Sequence, residues 1–162
     1  MSYEIRRYEA DQEDAVIALS MRAWGPVFPK MRAAVPAYVY DAFYPEGWEA
    51  RQTDDVTNLL RDEAVKTWVA VEGGDVVGYV GVRIHPEDSM GEIYIIAVDP
   101  AQQRRGISQA LMETGFAHMR EAGMKMAMVE TGGDPGHAPS RATYEAAGFE
   151  RGRMARYFKK GG

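Results

Sequence analysis

The run Gly91-Glu92-Ile93-Tyr94-Ile95-Ile96-Ala97-Val98 constrains the fold more than any other stretch of the chain. It is almost wholly apolar and does not alternate, so as a strand it requires cover on both faces. Asp99-Pro100 ends it, because proline removes a ladder donor. An amphipathic pattern follows from about Gly106 to Ala122, with Ile107, Ala110, Leu111, Thr114, Ala117 and His118 on one stripe, and Gly123 suits the position just past a helix. A central strand feeding a helix that must fold back over it predicts a sheet with helices on its faces.

The flanking segments complete that sheet. Lys66–Glu72 and Val76–His85 alternate as strands around the tight turn Gly73-Gly74-Asp75, which predicts a hairpin. Tyr3–Tyr8 and Met124–Glu130 read as further strands. Asp11 reads as the N-cap of a helix running to Trp24, stopped by Gly25-Pro26. A second helix is expected over Trp48–Arg61, with Val56, Leu59 and Leu60 inward. Between them Val27–Trp48 is broken by Pro29, Pro36 and Pro45. A short helix is expected over Ser140–Ala147, closed by Gly148, then a last strand pair, Phe149–Arg151 and Met154–Phe158. The expected order is β-α-α-β-β-β-α-β-α-β-β, an α/β (α+β) arrangement with a mixed, mostly antiparallel sheet in one domain over residues 1–162.

Composition narrows the function. The formal net charge is −5, which disfavours a nucleic-acid binder, since phosphate neutralisation needs a basic surface. No apolar run reaches the length of a membrane span, and the N-terminus has no apolar leader pattern, so a cytoplasmic protein is expected. There is no cysteine, which excludes disulfides, thiolate metal sites and a cysteine nucleophile. His85 and His118 share no ligand spacing with a further histidine, and no metal site is expected.

The chemistry concentrates at Gln103-Arg104-Arg105-Gly106-Ile107-Ser108. Backbone N–H groups at a helix start, with the positive end of its dipole, form an anion site. Gly106 admits close approach of a phosphate, and Arg104 and Arg105 add mobile positive charge. A plain strand-to-helix connection with two solvated arginines has the same composition.

These residues resemble the Q/R-x-x-G-x-G/A pyrophosphate motif of the GNAT superfamily of N-acetyltransferases, with Ser108 at the last small position. Val98-Asp99-Pro100 is similar to the end of that family's fourth strand. Ser140-Arg141-Ala142-Thr143-Tyr144-Glu145-Ala146-Ala147-Gly148-Phe149 resembles its second signature, a short helix with a tyrosine followed by Gly-Phe. The resemblance implies an acetyl-CoA-dependent N-acetyltransferase that moves the acetyl group directly to a primary amine. It implies cofactor contacts at Ile96, Ala97 and Val98 on the strand, at Gln103 through Ser108, and at Ser140. His137 stands where the family often has an asparagine beside the pantetheine arm; a turn-loop histidine is the competing reading.

For catalysis, Glu92 is the candidate base and Tyr144 the candidate acid. Regular alternation would put Glu92 on one face with Tyr94, Ile96 and Val98. A phenol is protonated at neutral pH and matched to a thiolate leaving group. Asp134 reads as a turn former rather than a base. Trp24, Phe28, Tyr38, Tyr40, Phe43, Tyr44 and Trp48, with Asp41 and Glu46, suggest an aromatic wall for a small amine acceptor, although helix cores fill with aromatics too. A homodimer is compatible with the resemblance. The alternatives are a non-catalytic acyl-CoA-binding sensor or a partner-binding module on the same fold.

Overall fold

The structure, a computed structural model, describes residues 2–152 and 154–161. Its sheet runs β1 (Glu4–Arg7), β2 (Val65–Glu72), β3 (Asp75–His85), β4 (Met90–Val98) and β5 (Met126–Val129), in that spatial order. The first three pairings are antiparallel and β4–β5 is parallel, so the expected mixed, mostly antiparallel sheet is present. The helices are α1 (Glu13–Trp24), α2 (Val27–Ala34), α3 (Ala37–Phe43), α4 (Trp48–Arg61), α5 (Ile107–Glu121) and α6 (Ala138–Ala146).

Three differences from the expected order have physical reasons. The segment broken by prolines holds two helices, because Pro29 lies in the first turn of α2 and Pro36 is the N-cap of α3. A missing N–H removes no helical bond at either place. The first helix is entered through a 3-10 turn over Ala10–Gln12 capped by Glu9, whose amide donates to Gln12 Oε1 at 2.9 Å, rather than through an Asp11 cap. The last strand pair does not form among the described residues: Phe149–Arg151 and Met154–Phe158 join no ladder, and Arg153 lies outside those residues. Phe158 instead meets Phe43 edge-on, ring centroids 5.9 Å apart.

Each face of the sheet has its own core. On one, Val16 and Leu19 of α1 and Val56 of α4 pack on Val69, Val71, Val76, Tyr79 and Ala97. The hydroxyl of Tyr79, fully buried, hydrogen-bonds Ser20 Oγ at 2.6 Å, so a polar pair sits satisfied within it. On the other, Ile107, Leu111 and Met119 of α5 cover Ala70, Val77, Val80, Val82 and Ile93. Each valine, leucine, isoleucine or methionine side chain taken fully out of water contributes about 1.5–3 kcal/mol. Two glycines let α5 lie this close. A Cβ on Gly91 would stand 2.2 Å from Met119 Cγ, and one on Gly115 would stand 3.0 Å from Ile93 Cδ1.

The decisive irregularity is in β4. Gly81 pairs with Ile95 and Val82 with Ile93, which leaves Tyr94 as an extra, bulged residue. The extra residue reverses the faces. Ile93 belongs to the α5 core, whereas Ile95, two residues on, packs on the α1 side; Ile96 and Val98 then return to α5. Glu92, opposite Arg83 and adjacent to inward Ile93, therefore lies on the α1 and α4 face. The expected shared face of Glu92 with Ile96 and Val98 is not what the strand adopts.

Candidate active site

β4 has two different surroundings along its length. Met90–Ile93 pairs with Met126–Val129 on β5, and that pairing stops at Ile93. Beyond it, Ile95–Val98 stays bonded to β3 only. The amide of Asp99 donates to Val77 O at 2.9 Å. Alternation from that bond sends the amides of Ala97 and Ile95 to β3 and those of Ile96 and Val98 toward the open side. Ala97 is buried on the α1 side and stands behind the open edge rather than on it.

The turn after β4 is built from local bonds. Asp99 Oδ1 accepts from Ala101 N at 3.0 Å, which starts the 3-10 turn Pro100–Gln102. Asp99 Oδ2 accepts from Arg22 Nη2 at 2.8 Å, fastening the turn to α1. Arg104 and Gly106 both take left-handed backbone, at φ +65° and +79°. Gly106 is the N-cap of α5, and a Cβ there would meet nothing within 4 Å, so its role is conformational and leaves the surface open. Ile107 is buried and offers only its amide, while Ser108 is half-buried and Gln103 exposed. The first-turn amides of α5 have no acceptor within the helix.

The two arginines are not equivalent. Arg104 is exposed. Arg105 is engaged with Glu72 on β2, Nη2 to Oε2 at 2.5 Å and Nη1 to Oε1 at 3.1 Å, and with Gln102 Oε1. It also lies over the Tyr3 ring, 6.0 Å from its centroid. The hydrogen bond from Arg105 holds the Glu72 carboxyl below its ordinary range. The mobile second charge expected here is instead a fixed strap from the turn to β2.

Glu92 is largely covered and joined to His85 at the end of β3, Nε2 to Oε1 at 2.7 Å. Tyr144 sits mid-way along α6 and meets Phe149 edge-on at 6.1 Å; Phe149 in turn contacts Phe116 of α5 at 5.8 Å, which seats this end of α6 against α5. Burial pushes the Tyr144 phenol above its ordinary value, so it is held protonated at neutral pH. His137 closes a 3-10 turn, Pro135–His137, and its Nδ1 lies 2.7 Å from Asp134 Oδ1. Burial alone would raise the Asp134 pKa, but the His137 bond and backbone amides hold it below the usual carboxylate range. Arg141 Nη1 donates to the carbonyls of Gly132 and Asp134 at 2.6 and 2.8 Å, and so ties that loop to α6 near Ser140. Asp134 is thus both turn former and partner of His137.

Part of the expected aromatic wall is core. Phe28 and Tyr40 are buried; Phe28 stacks on Trp48 at 4.6 Å and meets Tyr44 edge-on at 5.3 Å. Tyr38 and Phe43 remain exposed. Phe43, Pro45, Glu46 and Asp54 share a shallow groove of about 250 Å³. His85 and Asp134 are the partners that reading along the chain missed. The signal for His85 lay in hairpin register: placing His85 opposite Met90 makes Glu92 its diagonal neighbour.

The model of the acetyltransferase (GNAT) family matches residues 36–149. The chain belongs to this family. A mycothiol acetyltransferase from Saccharomonospora viridis is 30% identical over 118 residues, covering 64% of this chain and 38% of the relative. A second, from Segniliparus rotundus, is 30% identical over 114 residues, 63% of this chain and 42% of the relative, so the chain spans well under half of either. Among solved structures, the aminoglycoside N-acetyltransferase AAC(6')-Iy in complex with CoA aligns at a TM-score of 0.68 and 16% identity, over 98% of this chain and 95% of that one. These likenesses give this GNAT member its fold. No helix among the described residues is long and apolar enough to cross a membrane, and no group of three or more metal-ligating side chains occurs among them.

Proposed function

We propose that this chain is an acetyl-CoA-dependent N-acetyltransferase that moves an acetyl group directly to a primary amine on a small molecule, working in the cytoplasm. The observation that carries this reading is the coincidence of the Tyr94 bulge with the end of β4–β5 pairing at Ile93. It leaves the amides of Ile96 and Val98 on an open strand edge, one residue past which begins the turn into α5. An extended, amide-bearing arm can add to such an edge as a strand does. The first-turn amides of α5, with Gly106 and Arg104, suit a pyrophosphate. His137 and Ser140 complete the cofactor side, His137 oriented by Asp134. The relative solved with CoA supports the same cosubstrate.

In this reading Glu92 takes a proton from the acceptor ammonium so that the neutral amine can attack. An amide of the open edge, at Ile96 or Val98, polarises the thioester carbonyl. Tyr144 gives its proton to the departing thiolate, a role suited to a phenol kept protonated by burial. The acceptor reaches Glu92 from the α1 and α4 face. A small amine acceptor is supported by relatives named for mycothiol and aminoglycosides. A homodimer belongs to this reading, favoured by exposed Met154 and Tyr157 in the C-terminal tail; one chain's mass by light scattering would remove it.

The test is thermal melting with acetyl-CoA, using NAD and ATP as controls, where ligand at about 100 times its Kd adds about 2.7 kcal/mol. An amine panel follows: an aminoglycoside, an aminosugar, a short diamine and a peptide with a free N-terminus. Thiol release reads turnover, and the chain contributes no cysteine background. Tyr144→Phe should lower turnover about a hundredfold while keeping the melting shift. No shift with acetyl-CoA would overturn the reading. A shift without turnover of any panel amine would move the sensor reading to first place.

A further inference from the structure

The β3–β4 connection brings three titratable side chains into line. β3 ends at His85, a 3-10 turn over Pro86–Asp88 follows, and Ser89 takes left-handed backbone at φ +51° before β4 begins. Cross-strand register sets His85 opposite Met90 and Arg83 opposite Glu92, so His85 and Glu92 are diagonal neighbours on one face. His85 Nε2 lies 2.7 Å from Glu92 Oε1, and its Nδ1 lies 3.4 Å from Glu87 Oε1. Exposure climbs along the row: the side chains of Glu92, His85 and Glu87 are 16%, 24% and 66% accessible. Other charged groups nearby are engaged elsewhere. Arg83 reaches Asp62 at 3.9 Å and lies over the Tyr94 ring at 5.9 Å. Met90 and Met128, which flank the pair from β4 and β5, carry no charge.

We propose that His85 is a positioning residue for Glu92, which it holds in one orientation and relieves of the proton taken from the acceptor, with Glu87 as the outlet to solvent. This rests on the reading of Glu92 as base. A carboxylate under cover that has taken a proton must lose it before the next turnover. Neutral His85 donates its Nε2 hydrogen to the Glu92 carboxylate, which takes the ammonium N–H proton; once that carboxyl is protonated, exchange with solvent moves the ring hydrogen to Nδ1 and Nε2 accepts the Glu92 proton, making an imidazolium. The Nδ1 proton then leaves to Glu87 or water, so one proton enters and one leaves. The hydrogen left on Nε2 again faces the Glu92 carboxylate, which is the starting tautomer.

The hydrogen bond to Glu92 raises the His85 pKa from its ordinary 6.5, with the charges of Glu92 and Glu87 adding to it. A raised pKa in the folded protein means the charged bridge stabilises the fold most below pH 6.5 and less as pH rises through the raised value. The kinetic sign is opposite. While His85 is charged, Glu92 is committed to it and cannot act as a base, so kcat should rise as pH passes through that raised value.

The experiment has two arms on the full chain. Nitrogen-15 NMR titrates the histidines in the wild type and in Glu92→Gln. His85 should titrate above 6.5 and fall back toward it in the variant; an unchanged midpoint overturns the coupling. The kinetic arm follows kcat against pH with saturating acetyl-CoA and whichever panel amine is turned over fastest. His85→Gln keeps a donor near the Nε2 position but cannot relay a proton. Its acidic limb should move to lower pH and its plateau kcat fall about tenfold, with both KM values little changed. Imidazole added to His85→Ala should recover part of the rate. If Glu92→Gln leaves kcat and its limb unchanged, the base reading fails and takes this proposal with it. If Glu92→Gln abolishes turnover while His85→Gln follows the wild-type limb, only the role of His85 falls.

Discussion

The two halves of β4 are made of similar residues and have different neighbours. Met90–Ile93 is paired on both sides and carries its one charged side chain, Glu92, toward α1 and α4. Ile95–Val98 is paired on one side and offers backbone rather than side chains to the other. Tyr94 divides them. One extra residue both turns the faces over and coincides with the place where β5 departs, so a single bulge separates a stretch paired on both sides from one with an open edge. The comparison teaches that the chemistry proposed for this strand depends on a count of residues more than on their identity.

The sharpest way to break the comparison is with proline, which deletes one amide. Ala97→Pro removes an amide directed at β3 and should destabilise the fold by about 3 kcal/mol or more, read as lost melting temperature. Ile96→Pro removes an amide directed at the open side, where edge-type proline is tolerated. It should cost less stability, chiefly the packing of the Ile96 side chain on the α5 core, and weaken acetyl-CoA about three- to tenfold by calorimetry, the worth of one hydrogen bond. Equal stability losses at the two positions would mean that the amides do not alternate as described.

Next in size, Glu92→Gln should lower kcat about a hundredfold with little change in the KM for acetyl-CoA, as expected where one half serves chemistry and the other binding. A parallel rise in that KM would join the two halves again. The smallest effect is at the turn. Gly106→Ala must hold a left-handed backbone and should cost about 1 kcal/mol in a melt. Nothing lies within 4 Å of the added methyl, so any larger loss of acetyl-CoA affinity reports a close approach of the cosubstrate to this position.

Much of this fold is legible in the chain because its signals are local. The apolar run with Asp99-Pro100, the Gly106 turn and the stripe of α5 identify the strand, turn and helix without reference to anything distant. Trp48–Arg61 is likewise found with the expected ends. What is not legible depends on partners. A bulge at Tyr94 leaves no mark on an apolar strand, because Ile93 and Ile95 look alike whichever face they take. Pro29 and Pro36 read as breaks, yet they stand where helices begin. Phe149–Arg151 and Met154–Phe158 have strand-like composition, but a strand also needs an edge to join, and Phe158 packs on Phe43 instead. The bond from His85 to Glu92 becomes visible only once hairpin register is known.

The strap from Arg105 to Glu72 bears on how this protein would feel its ionic surroundings. Two adjacent arginines suggest a phosphate cradle whose grip fades steeply with added salt. Here the carboxylate of Glu72 already balances one of them from within the fold. On the proposed reading, an anion arriving at the turn would meet close to a single net mobile charge and a set of fixed amide dipoles, and dissolved ions compete poorly with dipoles that are held in place by the backbone. Acetyl-CoA should then bind with a shallow ionic-strength dependence, nearer to one counter-ion than to two.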